Sequence, residues 1–320
     1  MSKISNIQSP ISNPQSPSTA LRGLEYPIPS FPFSQNSLQD YVNCPRRFQL
    51  RYMLRQPWPA VQSEPLDEYA RLVERGRRFH QLVQRHSLGM TQEQLLQTLD
   101  DPDLRRWWQD YLAHPPPDLP SAVRRAEVTL STPLENAPFD RAHDRPGRLI
   151  GRYDLLALEP GRRAVSPVER RAVIVDWKTN QKRTPTAILA ARLQTRVYRY
   201  VLVQAGTALN GGIPLLPEQV TMIYWFAQHP TQPEILHYDA AQHAADAAYL
   251  ADLVTRIVAY AASGEKEWPL TPDERQCRFC TYRSLCDRGV LPGPLADFDA
   301  DEALDLGAEF EFEEVEEIEY

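Results

Sequence analysis

The chain has 320 residues, of which 42% are hydrophobic and 24% charged, enough for one large core or two smaller domains. No uninterrupted apolar run approaches the length of a membrane span, which excludes a composition typical of membrane-spanning proteins. The formal net charge of −7 is unfavourable for binding a polyanion. However, residues 297–320 carry twelve acids and no Lys or Arg, and removing those twelve negative charges from −7 leaves +5 on residues 1–296.

The N-terminal residues 1–32 are rich in Ser, Pro, Asn and Gln and lack a basic-then-apolar signal pattern. We therefore expect a disordered arm on a cytoplasmic protein. The acidic residues 291–320 are predicted to form a disordered tail, which is either an inert solvated extension or a segment that competes with DNA or recruits a partner. Residues 33–290 between them are predicted to form one folded domain.

Three helices are predicted at the start of this domain. Ser34 is a suitable N-cap for a short helix that ends near Cys44, and a second helix follows over 46–54. The third helix, over 67–86, has apolar residues at helical spacing and places His80 on its inward stripe, with Gly76 one turn earlier permitting close approach. A lone inward histidine is usually a satisfied core residue, and metal ligation is the alternative.

A further helix over 91–114 contains Trp107 and Trp108, which we expect to pack in the core although stacking on bases is the alternative. Three strands follow, near 123–133, 148–158 and 171–177. The first carries Glu127, for which we expect a structural role.

The second and third strands form a predicted hairpin that sets Asp154 beside Asp176. Two like charges so close are costly unless a cation lies between them, and Mg²⁺ or Mn²⁺ suits hard oxygen ligands. Side chains two apart on a strand share a face, so Lys178 emerges with Asp176 while Trp177 turns the opposite way. We expect Lys178 to be an exposed residue of the cleft. A solvated ion pair at the strand end is the simpler alternative.

The next helix, over 188–205, places Gln194 and Tyr198 on one face. Two strands, over 219–228 and 234–238, close the sheet, and an Ala-rich helix over 240–262 leads to a cysteine loop. The pattern predicts an α/β fold with a mixed central sheet and helical additions.

The chain has four cysteines: Cys277, Cys280 and Cys286 are clustered, and Cys44 lies far upstream. In a cytoplasmic protein such thiols more often bind metal than form disulfides. A second Cys-x₂-Cys knuckle, usual for zinc, is missing. A [4Fe–4S] cluster joining the N- and C-terminal edges of the domain is therefore predicted, with zinc or free thiols as alternatives.

Taken in order, Gly-x-x-x-His, Gly-x-x-Asp, Asp-x-Lys and Gln-x-x-x-Tyr resemble the RecB-like branch of the PD-(D/E)XK nucleases. The one-plus-three cysteine arrangement resembles the iron–sulfur members of that branch, the AddB-type nuclease domain and the CRISPR-associated RecB-like exonucleases. The resemblance covers about 33–287 and implies a restriction-endonuclease-like core. It departs from the superfamily name in having Arg-Tyr-Asp where Pro-Asp would stand.

The resemblance implies roles for individual residues. His80, Asp154, Asp176 and the main-chain carbonyl of Trp177 would bind Mg²⁺ or Mn²⁺, and Lys178 would orient or activate the attacking water. Gln194 and Tyr198 would position the DNA backbone or Lys178. The cluster ligands would be Cys44, Cys277, Cys280 and Cys286.

The expected function is a metal-dependent DNA exonuclease acting on single-stranded or frayed ends, in DNA repair, recombination or CRISPR adaptation. No phosphate-binding Gly-x-x-x-x-Gly-Lys-[Ser/Thr] loop is present, so unwinding would need a helicase partner, and an integrase is another candidate partner. The alternative is a non-catalytic DNA-binding or scaffold subunit of such a complex. In either case, arginines of the basic body are candidates to bind DNA phosphates, with simple solvation as the alternative; they include Arg46, Arg47, Arg51, Arg55, Arg75, Arg77 and Arg78.

Overall fold

A computed structural model of the chain describes residues 32–57, 64–134, 147–160, 170–180, 182–294 and 301. The predicted N-terminal arm, apart from residue 32, and most of the acidic tail lie outside the described residues. Within the described part of the chain, no helix combines the length and the apolar character needed to cross a bilayer.

A five-stranded mixed sheet organises the domain. Its strands are β1 (Val123–Pro133), β2 (Arg148–Glu159), β3 (Arg171–Lys178), β4 (Val220–Phe226) and β5 (Glu234–His237). They lie side by side in chain order; the β3–β4 pair is parallel and the other pairs are antiparallel. The predicted mixed sheet is thus confirmed, and a helical crossover joins the parallel pair, as such a connection requires.

The helices are α1 (Gln35–Asn43), α2 (Pro45–Phe48), α3 (Glu64–Ser87), α4 (Gln92–Leu96), α5 (Pro102–Ala113), α6 (Thr186–Ala191), α7 (Leu193–Ala205) and α8 (Ala240–Ala262). Ser34 caps α1 as predicted. Its hydroxyl accepts a hydrogen bond from the Ser37 backbone N–H, and the Ser37 hydroxyl accepts one from the Ser34 backbone N–H. A π-helical turn at Gln49–Met53 continues α2, where one regular helix was expected.

Two further helices that were predicted as continuous are broken. The expected helix over 188–205 divides at Arg192, whose backbone is extended with φ −60° and ψ 142°. The Thr195 hydroxyl donates to the carbonyl of Leu189 across this break and thereby satisfies a carbonyl at the end of α6. The expected helix over 91–114 divides before Asp101, which caps α5 with Pro102 at its first position.

The alternation of side chains along β3 separates two hydrophobic cores. Ala172 and Ile174 face the core formed with α1, α7 and α8. Val173, Val175 and Trp177 face the core formed with α3 and α5. Trp107 and Trp108 lie fully inside this second core, as the packing interpretation predicts. Polar side chains at the end of β3 are therefore presented between helices of both layers.

Candidate active site and cysteine junction

The Gly-x-x-Asp spacing on β2 follows from the packing of Tyr153. A Cβ atom on Gly151 would lie 2.9 Å from the Tyr153 hydroxyl, closer than carbon atoms are found to approach. That hydroxyl donates a 2.9 Å hydrogen bond to the backbone carbonyl of Tyr198 on α7. Glycine therefore allows Tyr153 to tie β2 to α7 and fixes the strand just before Asp154.

Asp154 lies at the centre of a group of potential metal ligands. Its Oδ1 is 3.3 Å from Nδ1 of His80 on α3, and its Oδ2 accepts a 2.9 Å hydrogen bond from the backbone N–H of Trp177. Ligand atoms from His80, Glu127 and Asp154 all lie within 4.8 Å of one another. Sequence reasoning gave Glu127 a structural role, and the structure instead brings its carboxylate into this group.

Glu127 reaches the group because the β1 backbone is unusual at this point. The β1–β2 register sets Glu127 opposite Asp154, and Glu127 has a φ of 52°, in the left-handed region that side chains other than glycine seldom adopt. Its Oε2 also accepts hydrogen bonds from Nε and Nη2 of Arg152 at 3.0 and 2.8 Å. Strain of this kind clusters at functional sites and requires the surrounding structure to hold it.

The electrostatics of the group suit a cation. Burial alone would lower the pKa of His80, but the Asp154 carboxylate raises it to about 9. Burial opposes ionisation of Asp154, yet His80 and the Trp177 N–H hold its pKa below the usual value. Burial and the nearby Asp154 raise the pKa of Glu127. The Glu127 and Asp154 carboxylates repel each other, so a nearby positive charge, from a proton or a metal ion, is needed to stabilise them at this distance.

The donor set fits Mg²⁺ or Mn²⁺. Two carboxylates supply hard oxygen ligands, and imidazole is acceptable to Mn²⁺. Nε2 of His80 is buried and has no hydrogen-bond partner among the described residues. A buried polar atom without a partner is costly, so a ligand for it is expected.

A second polar group lies on the α7 side of β3. Lys178 Nζ is 2.7 Å from Asp176 Oδ2 and donates a 3.1 Å hydrogen bond to Gln194 Oε1. Gln194 Nε2 in turn donates to Asp176 Oδ1 at 2.8 Å. The three side chains form a closed ring of contacts, and the ring of Tyr224 lies 5.5 Å from the ammonium. The orientation of Lys178 is thus fixed from three directions.

One expectation about this region needs correction, and another is confirmed. Lys178 is only 3% exposed, so the prediction of an exposed cleft lysine is wrong. The β2–β3 hairpin does form, with Leu155 opposite Val175, so Asp154 and Asp176 occupy the next positions along the strands. Their carboxylates nevertheless have different partners, because one contacts α3 and the other α7, and Asp176 lies outside the tight ligand group.

Tyr198 and Trp177 contribute to the framework of the site. The Tyr198 ring packs against the Tyr153 ring with centroids 5.0 Å apart. The Trp177 side chain turns away from Asp176 and Lys178, as the strand alternation predicts, and packs among Tyr111 and Trp225.

Asp301 of the acidic tail contacts the residues directly after β3. Its carboxylate accepts hydrogen bonds from the Thr179 backbone at 2.9 Å and the Thr179 hydroxyl at 2.7 Å. It is 2% exposed, unlike a residue of a fully solvated tail. Sequence reasoning missed both residues, because no local pattern connects positions so far apart in the chain.

Several arginines expected to meet phosphate are paired within the protein. Arg47 and Arg51 bind Asp40 at 2.8 and 2.5 Å. Arg75 bridges Asp101 and Asp103 at 2.8 and 2.9 Å. These ion pairs engage arginine charges that the sequence alone would leave available for phosphate.

The cysteine loop packs against the helices around Cys44. The Trp268 ring stacks on the Phe48 ring with centroids 5.8 Å apart, and the Trp268 backbone N–H donates a 2.9 Å hydrogen bond to Gln49 Oε1. The Tyr282 hydroxyl donates to the carbonyl of Gln56 at 3.1 Å. We call this region, residues 44–56 with 264–293, the cysteine junction. It brings the two edges of the domain together, as sequence reasoning predicts.

All four cysteines are free of disulfides. Burial raises the pKa values of the Cys277, Cys280 and Cys286 thiols, and the neighbouring cysteines Cys280 and Cys44 add to the effect at Cys277. The thiols are thus near enough to interact. Among the described residues, however, they do not form a group of ligand atoms within 4.8 Å of one another.

Comparison with known proteins identifies the family. A family model described as the PD-(D/E)XK nuclease superfamily matches residues 32–287. Among solved structures, a crystal structure of a candidate exonuclease from Eubacterium rectale is similar over 87% of this chain and 94% of that chain, at 13% identity and a TM-score of 0.45. No curated protein matches the chain.

Proposed function

The chain belongs to the PD-(D/E)XK nuclease superfamily, and from this premise we propose that it is a Mg²⁺- or Mn²⁺-dependent deoxyribonuclease. The observation that supports the proposal best is the position of two polar groups at one end of β3. The group of His80, Glu127 and Asp154 lies on the α3 side, and the Asp176–Lys178–Gln194 group lies on the α7 side.

His80, Glu127 and Asp154 would hold the metal ion, with Asp176 and the Trp177 carbonyl as the further ligands that the family resemblance implies. A divalent ion bound there polarises a phosphoryl oxygen and lowers the pKa of its bound water. The buried carboxylates supply the negative charge that retains the ion, and the unpartnered His80 Nε2 supplies a nitrogen ligand.

Lys178 would orient the attacking water and stabilise the negative charge that develops on the phosphorane-like transition state. Electrostatic groups of this kind act strongly because they are held in place before the reaction begins. Gln194 contributes that positioning, since its amide binds both Lys178 and Asp176. Tyr198 packs on Tyr153 and thereby holds α7 against β2.

We expect exonuclease action on single-stranded or frayed DNA ends, in DNA repair, recombination or CRISPR adaptation. This substrate class comes from the RecB-like resemblance and agrees with a net charge of +5 on residues 1–296. A helicase or integrase partner would supply the activities that the chain lacks. A non-catalytic scaffold would not need the complete polar set around Lys178, which favours the enzyme.

The cysteine junction would hold a [4Fe–4S] cluster bound by Cys44, Cys277, Cys280 and Cys286. Support comes from the number of thiols, their free state and their mutual electrostatic effect. Such a cluster would take one thiolate from each of the four cysteines and would join the two edges of the domain. Zinc remains the alternative.

Replacement of Lys178 tests the catalytic proposal. Lys178→Met keeps the length of the side chain and removes the ammonium, so cleavage of end-labelled single-stranded DNA with Mn²⁺ should fall about a hundredfold or more. Arg256→Met is the matched control, because Arg256 is half exposed and its ion pair is with Asp252 one turn away on the same helix. Comparison of linear with circular single strands separates exonuclease from endonuclease action.

Folding must be checked because Lys178 and Asp176 are buried together. Loss of the lysine alone leaves a buried carboxylate without its counter-charge, which is strongly destabilising. The double variant Asp176→Asn/Lys178→Met removes both charges and serves if the single variant unfolds. Cleavage at the wild-type rate by a folded Lys178→Met protein would contradict the assignment.

A further inference from the structure

The two residues after β3 form a set of hydrogen-bond donors that receives an anion. The Thr179 N–H lies 2.9 and 3.1 Å from the two carboxylate oxygens of Asp301, and the Thr179 hydroxyl lies 2.7 Å from Oδ1. The Asn180 N–H approaches Oδ2 at 3.4 Å. Successive backbone N–H groups directed at one point form a concave anion site.

The position of this set is as informative as its chemistry. Thr179 directly follows Lys178 in the chain, so the donors lie at the same end of β3 as the lysine that we propose to act on the scissile phosphate. Thr179 and Asp301 are both buried, at 6% and 2% exposure, which means that the carboxylate covers the donors.

We propose that Thr179 and Asn180 bind a phosphodiester of the nucleic acid beside the scissile phosphate, and that Asp301 occupies this subsite in the free protein. The inference rests on the proposed function. A carboxylate presents two oxygens with shared negative charge, much as a phosphodiester presents its two non-bridging oxygens. Both accept charge-assisted hydrogen bonds from the same donors.

Competition follows from this geometry. A nucleic acid strand can enter the subsite only after the Asp301 carboxylate has left it. The apparent affinity for DNA is then reduced by the fraction of molecules in which the subsite is free. Hydrogen bonds to a charged group are strong enough to make that fraction small. Removal of the carboxylate should therefore tighten DNA binding without creating any new contact.

A binding measurement with a matched pair of variants tests the proposal. Fluorescence anisotropy of a labelled single-stranded oligonucleotide, with chelator present to prevent cleavage, gives the apparent Kd of the full-length protein. Asp301→Ala should lower Kd about three- to tenfold, the factor expected when an internal occupant is removed. Asp305→Ala removes the same charge from the same acidic tail and should change Kd little. Asp301→Asn serves as a second variant that keeps the size of the side chain.

The salt dependence distinguishes a local occupant from general repulsion. Long-range repulsion between the tail and DNA is screened at high salt, whereas competition for a buried subsite persists. The advantage of Asp301→Ala over Asp305→Ala should therefore remain as salt rises. In the Asp301→Ala background, Thr179→Val should weaken binding severalfold, because it removes the hydroxyl donor and leaves the backbone N–H in place.

Equal Kd values for Asp301→Ala and Asp305→Ala, or weaker binding by Asp301→Ala and Asp301→Asn than by the wild type, would overturn the proposal and leave Asp301 as a structural anchor. The readout does not depend on cleavage. A protein that cleaves DNA but shows no Asp301 effect contradicts only this inference. A protein that binds DNA more tightly without Asp301 but never cleaves it contradicts only the proposed function.

Discussion

The polar groups at the end of β3 and the cysteine junction differ in how their titratable side chains are held. At the end of β3, burial opposes ionisation of Asp154, but His80 and the Trp177 N–H hold the pKa of its carboxyl below the usual value. At the cysteine junction, burial instead raises the pKa values of the Cys277, Cys280 and Cys286 thiols. These thiols would therefore have to lose protons on binding a metal.

The secondary structure that carries the site residues also differs between the two regions. Five elements direct at least one side chain each into the polar groups at the end of β3: β1, β2, β3, α3 and α7. The cysteine junction is built from α2, the π-helical turn and short turns around the three C-terminal cysteines, and contacts such as the bond from the Trp268 backbone N–H to the Gln49 side chain join its two halves. The ligand atoms of His80, Glu127 and Asp154 already lie within 4.8 Å of one another, whereas the described thiols of the cysteine junction do not form such a group.

The prediction with the largest expected effect tests the ligand group at the end of β3 by removing one of its carboxylates. Glu127→Gln keeps the shape of the side chain but removes the negative charge from the ligand group. Cleavage with Mn²⁺ should fall about a hundredfold, as expected for an electrostatic group in the site, and calorimetry should show weaker Mn²⁺ binding. Glu159→Gln, an exposed position at the end of β2, is the control.

A Glu127→Gln protein with unchanged Mn²⁺ affinity and cleavage would return Glu127 to the structural role expected from sequence. In that case its function would be the contact with Arg152. Arg152→Gln separates the two possibilities, because it removes the structural partner and leaves the carboxylate in the ligand group.

The next prediction concerns the cysteine junction. Anaerobically purified protein should be brown and contain about four irons per chain, the number in a cluster with four thiolate ligands. Cys44→Ser and Cys280→Ser should each lose the colour, and proteolysis should then attack the cysteine junction first. Cleavage of DNA should decline less than in Glu127→Gln, because the two regions share no ligand.

A colourless wild-type protein with one zinc per chain would support the zinc alternative and leave the contrast between the regions intact. Equal resistance of the wild type and Cys280→Ser to proteolysis would show that the cysteine junction does not depend on its thiols for stability. It would show that aromatic packing around Phe48 and Trp268 is sufficient to close the domain edges.

The sequence predicts this fold well where its periodicity is strong. The five strands, α8 and the cap at Ser34 all lie within a few residues of their expected positions. The breaks within the expected helices at Arg192 and before Asp101 were missed. The second could be recognised from Asp101 and Pro102, whereas the first depends on a hydroxyl contact across the break.

The candidate site was predicted by residue type and order but not by partner. Strand alternation correctly separates Trp177 from Asp176 and Lys178. It cannot show that Asp176 serves Lys178 while Asp154 serves His80, because that choice depends on which helix covers each side of the sheet. Burial of Lys178 and the contact of Asp301 are likewise tertiary effects that no local pattern contains.

The smallest predicted effect tests the framework under the ligand group at the end of β3. Gly151→Ala places a Cβ atom 2.9 Å from the Tyr153 hydroxyl and 3.2 Å from its ring carbon, so the tyrosine must shift. We expect a loss of about 1–3 kcal/mol in the free energy of unfolding, the usual cost of overpacking. Tyr153→Phe removes the hydroxyl and its bond to Tyr198, at a cost of about 1 kcal/mol.

The double variant decides whether these two residues act as one unit. In Gly151→Ala/Tyr153→Phe the hydroxyl that would collide is absent, so alanine should cost less than it does in the wild type. Urea unfolding of the four proteins should give a coupling energy of about 0.5–3 kcal/mol, the range for residues in contact. Additive losses would mean that Gly151 is required for another reason. If the two residues are coupled and the double variant recovers DNA cleavage as well as stability, the Gly-x-x-Asp spacing is needed to place Asp154.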